Sequence, residues 1–301
     1  MTVFISILHY NSNVDTINCL KTLMKSVCSG IDLRTIVLDN GSKEKLNIDI
    51  KDYKKIGLEV IVGKENLGFT GGHNFIWDRI CDEEFEYLLL LNNDSLVDER
   101  CIETLTKACA DQEVGGVVPK IYFTKGHEFH STRYKDNEKG KVFWFAGGHI
   151  DWANVESIHR GVDEVDHGQY DKKETIGFAT GACFLLKKSL LSKIGLFDNR
   201  YFLYYEDADL GQKVLRAGKK LLYVPQAIVW HNNAGSSGAG SALHDYYLTR
   251  NKMLFGMKYA PIKTRLHLIK NGLSLIAKGR PWQKKGAQDF FTNKFGKGSY
   301  K

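Results

Sequence analysis

At 301 residues, 43% hydrophobic and 12% aromatic, the chain can build one large domain or two small ones, and a charged fraction of 26% with only 4 prolines excludes wholesale disorder and a proline-rich linker. Its six cysteines (Cys19, Cys28, Cys81, Cys101, Cys109 and Cys183) form no Cys-x-x-Cys pair and no zinc-finger spacing with histidine, so buried free thiols in a reducing compartment are expected. The net charge of +7 is uneven: residues 258–301 carry eleven Lys/Arg against Asp289 alone, a net +10, which leaves −3 for the rest and points the tail at an anionic surface, membrane or nucleic acid.

The apolar run 2–9 at the N-terminus reads as a first strand rather than a signal peptide, and no apolar run reaches the ~18 residues of a membrane span, so a cytoplasmic protein is expected. Strands are predicted at 3–9, 35–39, 58–62 and 87–91, with a fifth at 116–119, and helices at 14–28, 72–81 and 99–111. Asp98 is placed to cap the last of these helices. Alternation of strand and helix implies parallel pairing with right-handed crossovers. Residues 120–175 hold aromatics, histidines, many charges and Gly147-Gly148, and read as loops with short antiparallel strands. Beyond them come a buried strand over 176–186, helices at 188–194 and 207–217, a strand over 219–224 that stops at Pro225, and another over 227–230. Residues 234–241 form a flexible loop by composition, and helical patterns occupy 242–259 and 262–277.

The run 86–94 is the most informative stretch: a short apolar strand, covered on both faces, ends in Asn92-Asn93-Asp94. Polar groups at the carboxyl ends of parallel strands sit where open α/β sheets bind ligands. The other early strands end likewise. The first runs into His9-Tyr10-Asn11, the second into Asp39-Asn40-Gly41-Ser42, and the third leads to Asn66-Leu67-Gly68-Phe69-Thr70-Gly71-Gly72-His73-Asn74. One crevice should collect these groups. Asp39 would accept hydrogen bonds from a uracil or thymine imide or a ribose; Asn11 and Asn66 would bond base or sugar. Gly68, Gly71 and Gly72 would let backbone approach the ligand, with the following helix offering its N-terminus to phosphate. Asp94 would supply a hard oxygen to Mg²⁺ or Mn²⁺. Taken singly, each piece has a bland reading as a turn, a loop or a helix cap; it is their coincidence at one sheet edge that favours a nucleotide-sugar site.

A second constellation, 197–211, sets Glu206, Asp207 and Asp209 beside aromatics. Acids also favour the first turn of a helix, which is the structural alternative for Glu206 and Asp209. Asp207 in an aromatic setting suits a general base, with burial and neighbouring acids raising its pKa, and Glu206 would orient the acceptor. His231 follows a strand and would join Asp94 as a metal ligand.

In family order over about residues 1–255, these pieces, with Thr180-Gly181-Ala182-Cys183, Phe197-Asp198, Tyr205–Leu210, Val224-Pro225 and His231, resemble the inverting family 2 glycosyltransferases, particularly their bacterial rhamnosyltransferase-like branch. The resemblance implies a GT-A fold, a Rossmann-like α/β arrangement of a mostly parallel central sheet flanked by helices. It implies a glycosyltransferase domain over 1–255 (a nucleotide-binding half 1–120 and an acceptor half 121–255) and a basic helical C-terminal extension over 256–301. A nucleotide-diphospho-sugar donor would lie on His9, Asn11, Asp39, Asn40, Asn66, Gly68, Gly71, Asn74, Asn92 and Asn93. Mg²⁺ or Mn²⁺ would be held by Asp94 and His231, with Asp207 and Glu206 catalytic. The expected donor is dTDP-rhamnose, with a UDP-hexose or UDP-galactofuranose as the alternative, and the acceptor is a bacterial surface glycan or lipid-linked glycan. The metal motif departs from the family in having one carboxylate rather than two, His9 and His73 stand where the family more often has other residues, and 122–172 matches nothing in it. The basic tail, with Trp282, Phe290, Phe291 and Phe295, suits peripheral contact with anionic lipid at the inner face of the cell membrane, or else a homodimer contact. A non-catalytic sugar-nucleotide-binding subunit is the second reading. Nucleic-acid binding through the tail is disfavoured by the acidic body and the lack of a binding motif.

Overall fold

The computed structural model describes residues 1–232 and 240–300. The loop expected at 234–241 falls outside these except for Gly240 and Ser241. The first half alternates as expected: β1 (Thr2–His9), α1 (Asn13–Met24), β2 (Asp32–Asp39), β3 (Glu59–Val62), α2 (Gly68–Ile80), β4 (Tyr87–Asn92), a short β5 (Ser95–Val97), α3 (Cys101–Cys109) and β6 (Val114–Phe123). The apolar runs become central strands because both faces are covered: residues 87–91 are all buried. β4, β1, β2 and β3 lie side by side and parallel.

The second half adds β7 (Phe143–Phe145), β8 (Gly148–Asp151), β9 (Glu156–His159), β10 (Glu174–Ile176), β11 (Cys183–Lys187), α4 (Lys188–Ile194), α5 (Glu206–Arg216) and β12 (Lys220–His231). The main sheet runs β10-β12-β6-β11-β4-β1-β2-β3, with β5 and β7 on its margins and β8–β9 as a separate hairpin. β11 lies between β4 and β6 and antiparallel to both, so the fifth predicted strand does not sit beside the fourth. The single strand expected over 176–186 divides instead: 174–176 pairs with β12 and 183–187 pairs with β4, with a connection between them. Conversely, the two strands expected around Pro225 are one, β12, whose register shifts between Val224 and Ile228, where the proline lacks an amide for the ladder.

Three helices close the chain: α6 (Ala242–Tyr259), α7 (Ile262–Lys278) and α8 (Pro281–Phe291). α6 runs unbroken through residue 255, so the expected boundary there falls inside a helix. The C-terminal segment is also built into the core. Asp289 accepts from the buried Tyr246 hydroxyl at 2.5 Å, Lys297 O accepts from Tyr247 at 3.0 Å, and Arg280 Nε donates to Asp245 at 2.6 Å. Among the described residues, no helix is long and apolar enough to cross a membrane.

Candidate functional site

The carboxyl ends of β1, β2, β4 and β12 and the start of β11 meet at one edge of the sheet, and hydrogen bonds tie the loops there together. At β1, the Asn11 amide donates to Ser42 Oγ (3.0 Å) and Asn11 Oδ1 accepts from Lys43 N (2.8 Å), so the first strand end is laced to the second. Asn11 does this at φ +56°, a left-handed conformation that asparagine tolerates. Asn40 Nδ2 donates to Gly68 O (3.0 Å) while its Oδ1 accepts from Leu67 N (2.9 Å), and Asn66 Oδ1 accepts from Gly68 N (2.8 Å). Asn93 Nδ2 donates to Thr16 Oγ1 (2.9 Å), which lies 2.8 Å from His9 Nδ1. The imidazole of His9 is fully buried, and burial lowers its pKa against the opposing pull of Asp39.

Asp39 is spent differently from expectation. It is fully buried; its Oδ1 accepts from Ser42 N (2.8 Å) and its Oδ2 from Leu46 N (3.4 Å), so it organises its own turn. Asn74 lies away from the strand ends, bonding Phe197 O (3.0 Å), Phe197 N (3.0 Å) and Asn199 Oδ1 (2.7 Å). The glycine run is helical rather than a loop, since α2 starts at Gly68. Its glycines serve close protein packing: a Cβ on Gly72 would stand 2.8 Å from Leu8 Cδ2, and one on Gly68 (φ +73°) 2.5 Å from Phe202 O. The α2 N-terminus is likewise taken, because Thr70 N donates to Phe202 O (3.2 Å).

Asp94 and His231 are brought together. The antiparallel β5–β12 pair sets His231 opposite Ser95 and brings its Nε2 to 3.1 Å from Asp94 Oδ1 and 3.2 Å from Asn92 Nδ2. Among the described residues, Asp94 Oδ1 is not hydrogen-bonded apart from that imidazole contact, and His231 Nδ1 has no hydrogen-bond partner. One hard carboxylate oxygen and one imidazole fit two positions of a divalent cation's shell. The described residues hold no cluster of three or more His, Cys, Asp or Glu, so the other positions would fall to diphosphate and water.

Glu206 and Asp207 lie in the first turn of α5. The helix starts after three non-glycine residues in left-handed conformation, Phe202 (φ +72°), Tyr204 (+69°) and Tyr205 (+71°). This kinked loop is held from α6. The fully buried Asn251 Nδ2 donates to the carbonyls of Tyr201 (3.0 Å), Leu203 (2.8 Å) and Tyr204 (2.9 Å), and the fully buried Arg250 donates to Tyr201 O (2.7 Å). Asp207 Oδ2 accepts from Gly181 N (3.0 Å) and Oδ1 from Ala208 N (2.7 Å). The next residue, Ala182, accepts from Asn92 N (2.9 Å), so Asp207 is two short links from the Asn92-Asn93-Asp94 turn. Burial raises the pKa of both carboxyls. Two amide donors counter that for Asp207, whereas Glu206 Oε2 has no hydrogen-bond partner among the described residues and feels the Asp207 charge, so of the two acids Glu206 is the one held further toward its protonated form. Asp209 is structural: fully buried, it bonds Lys258 Nζ (2.6 Å) and the Tyr201 hydroxyl (3.1 Å).

Asp207 and Glu206 open on a cavity of about 630 Å³ shared with β9 and the faces of α6 and α7. Its walls mix apolar groups such as Phe178, Leu248 and Leu268 with Asn271, Lys252 and Glu156. The sequence reading missed His159 and Trp144. His159 lines the cavity, its pKa lowered by burial to about 4. The Trp144 ring stands 4.7 Å from that imidazole and 4.6 Å from His231, between the carboxylate–imidazole pair and the cavity. Only the aromatic and histidine content of 120–175 hinted at them, since Trp144 is positioned by the β6–β7 pairing and His159 by the β8–β9 hairpin.

The glycosyl transferase family 2 model matches residues 5–195. An N-acetylglucosaminyl-diphospho-decaprenol L-rhamnosyltransferase of Mycobacterium tuberculosis is 44% identical over 69 residues, 23% of this chain and 22% of that protein. The O-antigen biosynthesis protein RfbC of Myxococcus xanthus is 27% identical over 168 residues, 54% of this chain and 12% of that protein. The chain therefore spans well under half the length of these relatives. Among solved structures, that of GalNAc-T7 with UDP, GalNAc and Mn²⁺ superposes with a TM-score of 0.61 at 14% identity, over 97% of this chain and 58% of that one, a likeness of fold.

Proposed function

The chain belongs to glycosyl transferase family 2, and on that premise we propose that it moves rhamnose from dTDP-rhamnose to a hydroxyl of a bacterial surface glycan or lipid-linked acceptor, with inversion. The observation that carries this reading is the placement of Asp207, whose carboxyl accepts from two backbone amides, on a cavity of about 630 Å³ and two hydrogen-bonded residues, Gly181 and Ala182, away from the Asn92 strand end. An acceptor in the cavity would give its hydroxyl proton to Asp207 as its oxygen bonds to the anomeric carbon. The bond from that carbon to the diphosphate breaks on the opposite face, and the electron pair leaves with the nucleotide. One displacement inverts the centre, and no covalent sugar–enzyme species forms. Glu206, protonated, keeps a second negative charge away from the base and offers a donor to the acceptor. Asn11, Asn66, Asn92 and Asn93 would meet base, ribose and diphosphate with the side-chain groups that their loop hydrogen bonds leave over; His9, Asp39, Asn40, Gly68, Gly71 and Asn74 shape the loops beside them.

Asp94 and His231 would hold Mg²⁺ or Mn²⁺, which when bound neutralises charge on the departing diphosphate. The Mn²⁺ and UDP of GalNAc-T7 make this cation and a nucleotide diphosphate the natural probes. The relative from M. tuberculosis favours rhamnose over a UDP-hexose or UDP-galactofuranose. Its decaprenol-linked substrate favours a lipid-linked acceptor, and with it a cytoplasmic chain meeting the inner membrane face peripherally.

A panel of dTDP- and UDP-sugars, read as thermal protection with Mn²⁺ and after EDTA, tests the assignment. The expected result is protection by dTDP-rhamnose that EDTA removes; no protection by any nucleotide sugar refutes it. Asp207→Asn should lower kcat by about 10²- to 10⁴-fold while leaving donor protection intact. Equal loss of both would return Asp207 to a structural or donor-binding role.

A further inference from the structure

The cavity that holds Asp207 has one wall on α7, where Leu268, Asn271, Gly272 and Leu275 line it. A neighbouring face of the same helix is left largely open by the described residues, with Ile269 and Ile276 only partly covered. Ile262, Leu266, Ile269, Leu273 and Ile276 recur at i, i+4, i+7, i+11 and i+14, the spacing of a single apolar stripe. Ile262 is 75% exposed, Leu266 64% and Leu273 56%, and the exposed Phe291 of α8 lies near Gly272 beside the stripe. Exposed Lys263, Lys270 and Lys278 punctuate the helix, and none makes an ion pair with a described residue. The other tail aromatics are used internally: Trp282 packs on Tyr246 and Tyr300, and Phe295 sits under the Arg200 and Arg250 guanidinium groups.

We propose that α7 is a membrane-surface helix, lying in the headgroup region of an anionic bilayer with its apolar stripe in the lipid and its lysines on the phosphates. The chemistry selects this occupant. A nucleic acid would satisfy the lysines and leave the leucines in water. A second copy of the chain would bury the leucines but set lysine against lysine. An anionic lipid surface accepts both at once. The acidic remainder of the chain, net −3 against +10 for residues 258–301, would orient the molecule with this side down. Because α7 also walls the cavity, a lipid-linked acceptor would reach Asp207 along the helix that rests on the membrane. That last step rests on the proposed transfer reaction; the docking does not.

Sedimentation of the full chain with vesicles tests it, comparing equimolar phosphatidylcholine and phosphatidylglycerol with phosphatidylcholine alone. Binding is expected to the anionic vesicles, weakened by salt. The double variant Leu266→Ser, Leu273→Ser alters exposed side chains that do not line the cavity, and should keep the parent's melting temperature and donor protection while binding anionic vesicles about 10-fold or more weakly. Lys263→Glu with Lys270→Glu should do the same. The proposal fails if the parent binds neither vesicle, if it binds both equally, if the leucine variant binds like the parent, or if the parent is a dimer that the leucine variant dissociates. Donor protection is read on the same samples, so loss of nucleotide-sugar binding would discredit the transferase reading separately from the docking.

Discussion

Glu206 and Asp207 are adjacent in the chain and opposite in their surroundings. Asp207 receives two backbone amides, and Glu206 has a buried oxygen with no hydrogen-bond partner among the described residues. Of the two acids, Glu206 is therefore the one that holds its proton more tightly. A folded-state pKa raised above the unfolded value, about 4.3 for Glu, means that the folded chain binds the proton more tightly. The stability this gives is complete below the unfolded pKa and is lost as pH rises through the folded one. Glu206→Gln removes that loss. Its melting temperature should gain on the parent's as pH is raised, which paired melts over a pH series would reveal; a variant that falls behind with rising pH would mean that Glu206 is ionised and paired. Asp39 makes the complementary point. A carboxylate at a strand end read as a nucleotide ligand, yet its oxygens go to Ser42 N and Leu46 N, because a fully buried charge must be met by nearby donors.

The element on which the site turns is the loop 201–205. Three non-glycine residues in left-handed conformation cost about 1 kcal/mol each, and the loop keeps that shape only because α6 answers its carbonyls. Asn251 alone serves three of them, so Asn251→Ala would leave buried acceptors unmet at a cost of about 2–4 kcal/mol. The melting temperature should fall by several degrees, and kcat should drop more than donor protection does, as Asp207 drifts from Gly181. Activity unchanged in a protein that melts earlier would show that the loop holds its shape unaided. Nothing in the run 197–211 announces this clasp, because its partner lies some fifty residues away. The alternation of the first half was legible, since apolar runs of strand length between helical patterns have few other outcomes. β11 was not, because its insertion between β4 and β6 is a choice among equally apolar neighbours.

On the scale of the whole molecule, the C-terminal segment read from its charge as an appendage is part of the core. Tyr246, Tyr247 and Arg250 are fully buried, and Asp289, Lys297 and Lys294 supply their partners. A chain ended at Ala260 would expose all three and should lose the parent's cooperative melt; a truncated chain that melts like the parent would make the segment separable after all. The same segment presents α7 outward, so one stretch of chain both completes the cavity and carries the basic surface.

Local chemistry alone determined the family resemblance, the parallel first half and the pairing of a carboxylate strand end with a later acid pair, because these are written in contiguous runs whose meaning does not depend on what packs against them. Only the tertiary structure decided which polar side chains brace loops and which face the cavity, which of two neighbouring acids carries the charge, and which part of the basic tail is outside. Each of those turns on donors and apolar surface delivered from far along the chain, by Gly181 to Asp207, by β12 to Asp94 and by α6 to the loop before α5.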